Sequence, residues 1–399
     1  MSALRVALVA GEHSGDALGA KLMRALREAR ADEVAFLGVG GEAMEAEGLE
    51  SLFPISDIAV MGILPVLARL PKLLARIRKT AETIVAARPD ALVIIDSPDF
   101  THRVARRVRA ALPNLPTVDY VSPSVWAWRP GRAGVMRAYV DCVLALLPFE
   151  PETYRRLNGP RCVYVGHPLI ERLETLRPKA DEASRRASPQ PLIVVLPGSR
   201  RSEVSRLMAD FGGALAVMRQ SVGPFTAVLP TLPHVEGEVR ALAARWPEPP
   251  KIVLGEDAKY AAFRAARAGL AASGTVTLEL ALAGVPMVGA YKVSLVEEQL
   301  KYLIKVPSIL LPNLILGERA IPEFLQRDCT PAALGAALVD IVRDGPARSA
   351  QLDALSRLDR LMALPDGGAP SAHAARAVVE TIETRAVPPP VFGTARGDA

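Results

Sequence analysis

Pro191-Leu-Ile-Val-Val-Leu-Pro-Gly-Ser-Arg-Arg-Ser-Glu-Val-Ser-Arg-Leu207 contains a run, Leu192 to Leu196, that is apolar throughout and rich in β-branched residues. A strand buried on both faces of a parallel sheet reads this way, because neither face meets water. Pro197 and Gly198 stop the run, Ser199, Arg200, Arg201 and Ser202 follow, and a helical pattern begins at Glu203. A strand, a small-residue turn and a basic helix start together make an anion cradle. Free backbone N–H groups and the positive end of the helix dipole converge there, and Arg200 adds a bidentate clamp. No lysine stands at the spacing of a Walker loop. A plain strand–helix turn capped by Ser199, with its arginines in water, fits the same residues.

The pattern recurs along the chain. Arg5 to Ala10 reads as a first buried strand, Gly11 to Asp16 as a polar turn, and Ala17 to Arg30 as a helix. The turn lacks full G-x-G-x-x-G spacing, so the dinucleotide fingerprint is weak, and Ser14 or Asp16 can serve as a helix cap. Further strands are expected at Val34–Val39, Ala91–Ile95, Thr117–Val121, Cys142–Leu147 and Cys162–Val165. The charged, Ala/Ser-rich stretch 171–190 lacks strand character and reads as a linker after a first domain, 1–170. A second series, 191–345, follows the opening strand with Thr226–Leu229, Lys251–Leu254, Ala268–Ala272 and Val285–Ala290. Strands alternating with helices predict an α/β chain with a doubly wound parallel sheet in each half. Helices occupy 346–385, and a Pro-rich tail, 386–399, reads as disordered.

At 399 residues the chain is long enough for two domains with separate cores. Its net charge of +5 favours acidic partners such as phosphate, nucleotide or anionic lipid. The excess is spread without the long basic run that marks a nucleic-acid arm. Cys142, Cys162 and Cys329 are scattered, giving neither a disulfide framework nor a metal spacing, which fits a reducing compartment. The apolar part of the N-terminus is too short for a signal peptide. No stretch reaches the roughly 18 apolar residues of a spanning helix.

Several positions carry chemistry. Asp96 ends a buried strand, where ligands of open parallel sheets bind, and an acid there can serve as a general base. Asp99 fits an Asx turn or helix cap better. Residues 60–79 place Ile63, Val66, Leu67, Leu70, Leu73, Leu74 and Ile77 on one side of a helical wheel. Arg69, Lys72, Arg76 and Lys79 lie on another arc. An apolar face beside a basic one suits a membrane surface, although a core-packed surface helix has the same pattern. Pro65 and Pro71 predict two helical pieces or a kink. Ser122 to Pro130 holds Trp126, Trp128 and Arg129 in a proline-bounded loop, which suits ligand contact or a buried interface. His102 sits in a basic helical face and reads as surface. Ser273, Gly274 and Thr275 form a second small-residue helix start, with Thr277 and Glu279 in its first turns. Amides and hydroxyls there suit a phosphate, and the carboxylate suits a ribose.

Taken in order, these landmarks resemble the lipid-A-disaccharide synthases. The resemblance rests on Ala10-Gly-Glu-His-Ser-Gly-Asp16, Val60-Met-Gly62, Asp96-Ser-Pro-Asp-Phe100, Tyr120-Val-Ser-Pro-Ser-Val-Trp-Ala-Trp-Arg129 and Leu147-Pro-Phe-Glu150. Gly166-His167-Pro168, Leu196-Pro-Gly-Ser-Arg200, Ser273-Gly-Thr275 and Leu311-Pro-Asn313 complete it. It implies a GT-B fold, two Rossmann-like domains facing a cleft, with the helices of 346–385 crossing back to the first domain. It also implies inverting transfer from UDP-2,3-diacylglucosamine to the 6-hydroxyl of 2,3-diacylglucosamine 1-phosphate, giving a β-1,6-linked disaccharide 1-phosphate and UDP. No cofactor and no metal are implied. By likeness Asp96 is the base. Gly198, Ser199, Arg200, Ser273, Gly274, Thr275, Thr277, Glu279 and Asn313 fall on the donor side, and Glu12, Ser14, Gly15 and Asp16 on the acceptor side. Fatty substrates give Ile63, Val66, Leu67, Leu70, Leu73, Leu74, Arg69, Lys72 and Arg76 a use in docking to the cytoplasmic face of the inner membrane. Some members form dimers. Another GT-B enzyme, such as a UDP-N-acetylglucosamine epimerase or a soluble sugar transferase, shares the fold without the lipid. His13 stands in the glycine turn where other members often carry a small hydroxyl or apolar residue.

Overall fold

Leu4–Ala10 (β1), Val34–Val39 (β2), Ala91–Ile95 (β3), Thr117–Tyr120 (β4), Cys142–Ala145 (β5) and Arg161–Tyr164 (β6) form one all-parallel sheet. Its order is β2-β1-β3-β4-β5-β6. Leu192–Leu196 (β7), Thr226–Thr231 (β8), Lys251–Leu254 (β9), Ala266–Ala272 (β10), Met287–Tyr291 (β11) and Glu323–Leu325 (β12) form a second parallel sheet, ordered β12-β11-β10-β7-β8-β9. The computed structural model describes residues 3–30, 33–58, 63–294 and 306–386, with the backbone alone at 63–68, 181 and 386.

The sheets belong to separate units. Residues up to His167 together with those from Leu364 onward make one, and Pro168–Ala363 makes the other. The stretch 171–190, expected as a linker, carries Leu173–Leu176 and Ala180–Arg185 as helices and belongs to the second unit. Arg186 explains why. Its guanidinium is driven inward to donate to the carbonyls of Phe263, Arg264, Ala283 and Gly284, which pins the segment down. Residues 346–363 also belong to the second unit, so the chain rejoins the first at Leu364 rather than at 346. There Pro370–Ala386 packs on the helix His13–Ala29, adding Ala374, Ala375, Ala377 and Val378 to the first core.

Continuous burial of β1 from Val6 to Ala10, and of β3 from end to end, reflects helices on both faces. Register then fixes the site. Ala10 pairs with Ile95, and Ile95 with Tyr120, so the turns leaving β1, β3 and β4 start at one level. In the second unit Leu196 pairs with Ala271 and Ala272 with Ala290, which aligns the turns after β7, β10 and β11.

The helix Ile63–Ala87 runs unbroken through Pro71, not in two pieces. Pro65 falls in its first turn, where the N–H has no helical acceptor anyway. Pro71 removes one internal bond from a 25-residue helix that packs along the sheet, and burial of Ile77, Ala81 and Ile84 holds it. The expected disordered tail lies outside the described residues beyond Ala386.

Candidate functional site

In the first unit the site gathers where β1 and β3 end. Ser14 Oγ lies 3.2 Å from Asp96 Oδ2 and 3.1 Å from Glu12 Oε1. One hydroxyl thus faces two carboxylates and donates to one of them at a time. The Ser97 amide donates to Asp96 Oδ1 at 2.7 Å. Asp96 and Ser97 take φ of 55° and 43°, and Val121, just past β4, takes 79°. Left-handed backbone at residues other than glycine costs about 1 kcal/mol or more each, and such strain gathers at working sites. Gly11 makes room for the bend: a Cβ there would lie 2.1 Å from that of Ser97. Asp96 is half-buried and oriented by two donors, which leaves its carboxylate able to accept a proton from a ligand at the strand end.

The other acceptor-side residues divide. Glu12 flanks Ser14, whereas Gly15 is buried against the Ile95 carbonyl, 3.2 Å from where a Cβ would stand. Asp16 is turned into the fold. Its carboxylate accepts from the amides of Gly41, Ala43 and Met44 at 2.8, 3.0 and 3.0 Å. It therefore closes the start of the helix Glu42–Ala46 and does not face an acceptor. His13 is exposed.

In the second unit the loop after β7 already holds an anion. Glu203, buried in the helix Arg201–Val222, accepts from the amides of Ser199 and Arg200 at 3.0 and 3.2 Å. The amides expected to be free for a phosphate are occupied from within. Arg200 Nη1 donates to Glu203 Oε1 at 3.0 Å, with the arginine side chain 57 % exposed. Gly198 has φ of 115°, and a Cβ there would press on Glu203, so only glycine suits the clasp. His234 Nε2 lies 2.9 Å from the Ser199 carbonyl.

The second helix start is more open. Gly274 and Thr275 are exposed ahead of Thr275–Leu282, and Ser273 Oγ donates to the Ile309 carbonyl at 2.8 Å. Thr277 is fully buried and donates to the Gly274 carbonyl at 2.8 Å, so it shapes the turn from inside. Glu279 pairs with Lys259 at 2.9 Å. Asn313 is buried too. It donates to the Ile321 carbonyl and to Glu323 Oε1 at 2.9 and 2.8 Å and accepts from the Ile321 amide at 2.9 Å. Its hydrogen bonds brace Leu311–Leu316 against β12, which makes it a positioning residue and not a ligand contact.

Two buried acids near β4 and β5 escaped the sequence. His102, expected at the surface, is buried, with Nε2 3.2 Å from Asp119 Oδ2 and Nδ1 3.0 Å from the Tyr139 hydroxyl. It shares the inward arc of its helix with Thr101 and Ala105, a signal masked by the arginines around it. Glu150 takes donations from the Trp126 indole at 3.1 Å and the Leu147 amide at 2.9 Å. Burial pushes its carboxyl up to about 7 despite those donors. Trp126 is thus anchored in the fold, while Trp128 is exposed with Arg129 stacked 4.0 Å over its ring.

The amphipathic helix splits its apolar residues. Ile77 is buried and Leu73 half-buried against the core, but Leu70 and Leu74 face outward at 37 % and 40 % exposure, beside exposed Arg69. The side chains of Ile63, Val66 and Leu67 lie outside the described residues. Lys72 and Arg76 are not free cations: both pair with Asp57 at 2.6 Å. They hold its carboxyl below the usual range, the Lys72 ammonium most strongly. Among the described residues no helix is long and apolar enough to cross a membrane, and no three His, Cys, Asp or Glu side chains converge as metal ligands.

Residues 6–363 match the model of a family described as lipid-A-disaccharide synthetase. The lipid-A-disaccharide synthase of Nitrobacter hamburgensis is 57% identical over 382 residues, which is 96% of each chain. That of Rhodospirillum centenum is 43% identical over 97% of each. Among solved structures, UDP-GlcNAc 2-epimerase from Neisseria meningitidis bound to UDP-GlcNAc superposes with a TM-score of 0.62 at 10% identity, covering 96% of this chain and 100% of that one. Acinetobacter baumannii MurG gives 0.57 at 15%, covering 94% and 99%. At such identities the likeness speaks for the fold alone, which is of the GT-B type.

Proposed function

The chain belongs to the lipid-A-disaccharide synthetase family, and we propose that it condenses UDP-2,3-diacylglucosamine with 2,3-diacylglucosamine 1-phosphate. The products are the β-1,6-linked disaccharide 1-phosphate and UDP. What carries the reading is the Asp96 carboxylate, held half-buried at the end of β3 by Ser14 and Ser97. Asp96 takes the proton of the acceptor 6-hydroxyl as that oxygen attacks the anomeric carbon from the face opposite UDP. The C1–O bond breaks, its electron pair leaves on the β-phosphate, and the configuration inverts. Arg200 and the open helix start at Thr275 offset the charge growing on the diphosphate. Arg200 must share its guanidinium with Glu203 to do so, and its exposure allows this. The experiment is an assay of UDP formation from UDP-diacylglucosamine with and without the monosaccharide 1-phosphate. Release that requires both is expected, and release indifferent to the acceptor would remove the transferase reading.

The fatty chains of both substrates give the outward side of Ile63–Ala87 its role. Leu70, Leu74 and Arg69 dock the protein peripherally on the cytoplasmic face of the inner membrane. Liposome co-sedimentation of Leu70→Glu/Leu74→Glu is expected to lose most of the bound fraction, since the exposed parts of two leucines contribute about 1–2 kcal/mol and each glutamate sets a charge against the bilayer. Unaltered sedimentation would reduce the face to ordinary surface.

A further inference from the structure

We propose that a cavity of about 360 Å³ in the first unit, walled by Arg103, Arg106, Arg129 and Arg132, seats the phosphate monoester of the acceptor sugar. The assignment rests on the acceptor reading above and names a subsite for it.

Arg103 and Arg106 stand three residues apart on the helix Pro98–Ala111, so they share a side of it. Arg129 and Arg132 come from the loop and helix after Trp128. Two of the four are pre-set by stacking: Arg106 lies 4.7 Å over the Tyr139 ring and Arg129 4.0 Å over Trp128. Arg129 is also held at φ of 53°, a strained conformation. Below them His102 closes the floor, its ring fixed by Tyr139 and Asp119. Among the described residues the only carboxylate paired with any of the four is Asp99, 3.5 Å from Arg132 with its side chain 89 % exposed. Four arginines thus line one cavity, with a single exposed carboxylate paired to them among the described residues. Planar forks of this kind match the oxygens of a phosphate, and a dianion offsets the repulsion among them.

The volume lies at the low end for small-ligand sites, enough for a phosphate with part of a sugar ring. Position supplies the link to the reaction. Pro98 and Asp99, which line the cavity, stand two and three residues after Asp96 in the chain. In a pyranose, C1 and the carbon bearing the 6-hydroxyl arm are both bonded to the ring oxygen. The 1-phosphate and the 6-hydroxyl arm therefore leave the ring on either side of that oxygen, and in the proposed pose the phosphate is held here while the arm is offered to Asp96.

The test uses the full-length protein, wild type against Arg103→Gln and Arg129→Gln, with donor and acceptor titrated separately. Acceptors are diacylglucosamine with and without its 1-phosphate. Each variant is expected to raise the KM for the phosphorylated acceptor about tenfold or more, the weight of one charged hydrogen bond. The donor KM should stay unchanged, the preference for the phosphorylated acceptor should shrink by the same factor, and Arg103→Lys should recover part of it. An unchanged acceptor KM and preference would overturn the proposal and leave the transferase reading standing. A raised donor KM would also overturn it, by giving the cavity to the diphosphate. So would weaker sedimentation with anionic phospholipid vesicles at an unchanged acceptor KM, by giving the arginines to lipid headgroups. Wild-type protein that forms no UDP would bring down both readings together. Arg103 is exposed and has no ion pair among the described residues, so its variant decides the matter if Arg129→Gln melts early.

Discussion

Asp96→Asn is expected to lower turnover by about 10²–10⁴-fold, or about 3–5 kcal/mol in the barrier, while UDP binds as before. The substitution leaves the site's geometry largely intact. Asparagine tolerates left-handed backbone, which position 96 demands at φ of 55°. Its carbonyl oxygen can accept from the Ser97 amide, and its amide group can donate to the Ser14 hydroxyl, reversing the present bond. What it cannot do is take a proton from a sugar hydroxyl. Steady-state rates with calorimetric UDP titration separate the two effects. Wild-type turnover would remove Asp96 from the mechanism, and a matching loss of UDP affinity would make it a binding residue.

Asp16→Ala is expected to act on stability instead. The carboxylate is the acceptor for three amides at the entry to Glu42–Ala46, and alanine leaves them without it in a largely buried place. The loss is about 2–4 kcal/mol, most of it from the unsatisfied donors. Asp16→Asn should recover only part, because its amide group would face the N–H of Ala43 or of Gly41 and Met44. Urea unfolding followed by far-UV circular dichroism checks this. A midpoint unmoved by Asp16→Ala, with turnover collapsed, would return Asp16 to the acceptor.

These two aspartates show what a sequence discloses. Both stand at strand–helix turns with the same residue type, and both invite a catalytic role. Asp96 is legible because the apolar run before it fixes the strand, and the carboxyl end of that strand is where ligands go. Asp16 is not legible, because its partners lie some 25 residues away at a helix start that local pattern does not reveal. The strands behave likewise. β3 and β7, and β1 from Val6 onward, announce themselves as unbroken apolar runs. β12 is three residues at a sheet edge, too short for any period to register. Other misses left a trace. Glu203 is an acid in the first turn of its helix, where free amides invite a carboxylate, and it closes its own turn. Asn313 within an apolar run needed buried partners, with Glu323 at hand. The four arginines of the cavity carried no such mark. Two stand on one helix and two follow a loop, so only the fold brings them together.

The helix Pro370–Ala386 makes the order of synthesis matter. The first unit needs it to cover His13–Ala29, yet the ribosome delivers it only after Pro168–Ala363, about 200 residues later. At about 5–20 residues per second the wait is about 10–40 s. During it the surface later covered by Ala374, Ala375 and Val378 stays bare on a nascent chain. The second unit is continuous in sequence and can close as soon as it emerges. The unit that carries Asp96, early in the chain, is thus the last to have its core completed.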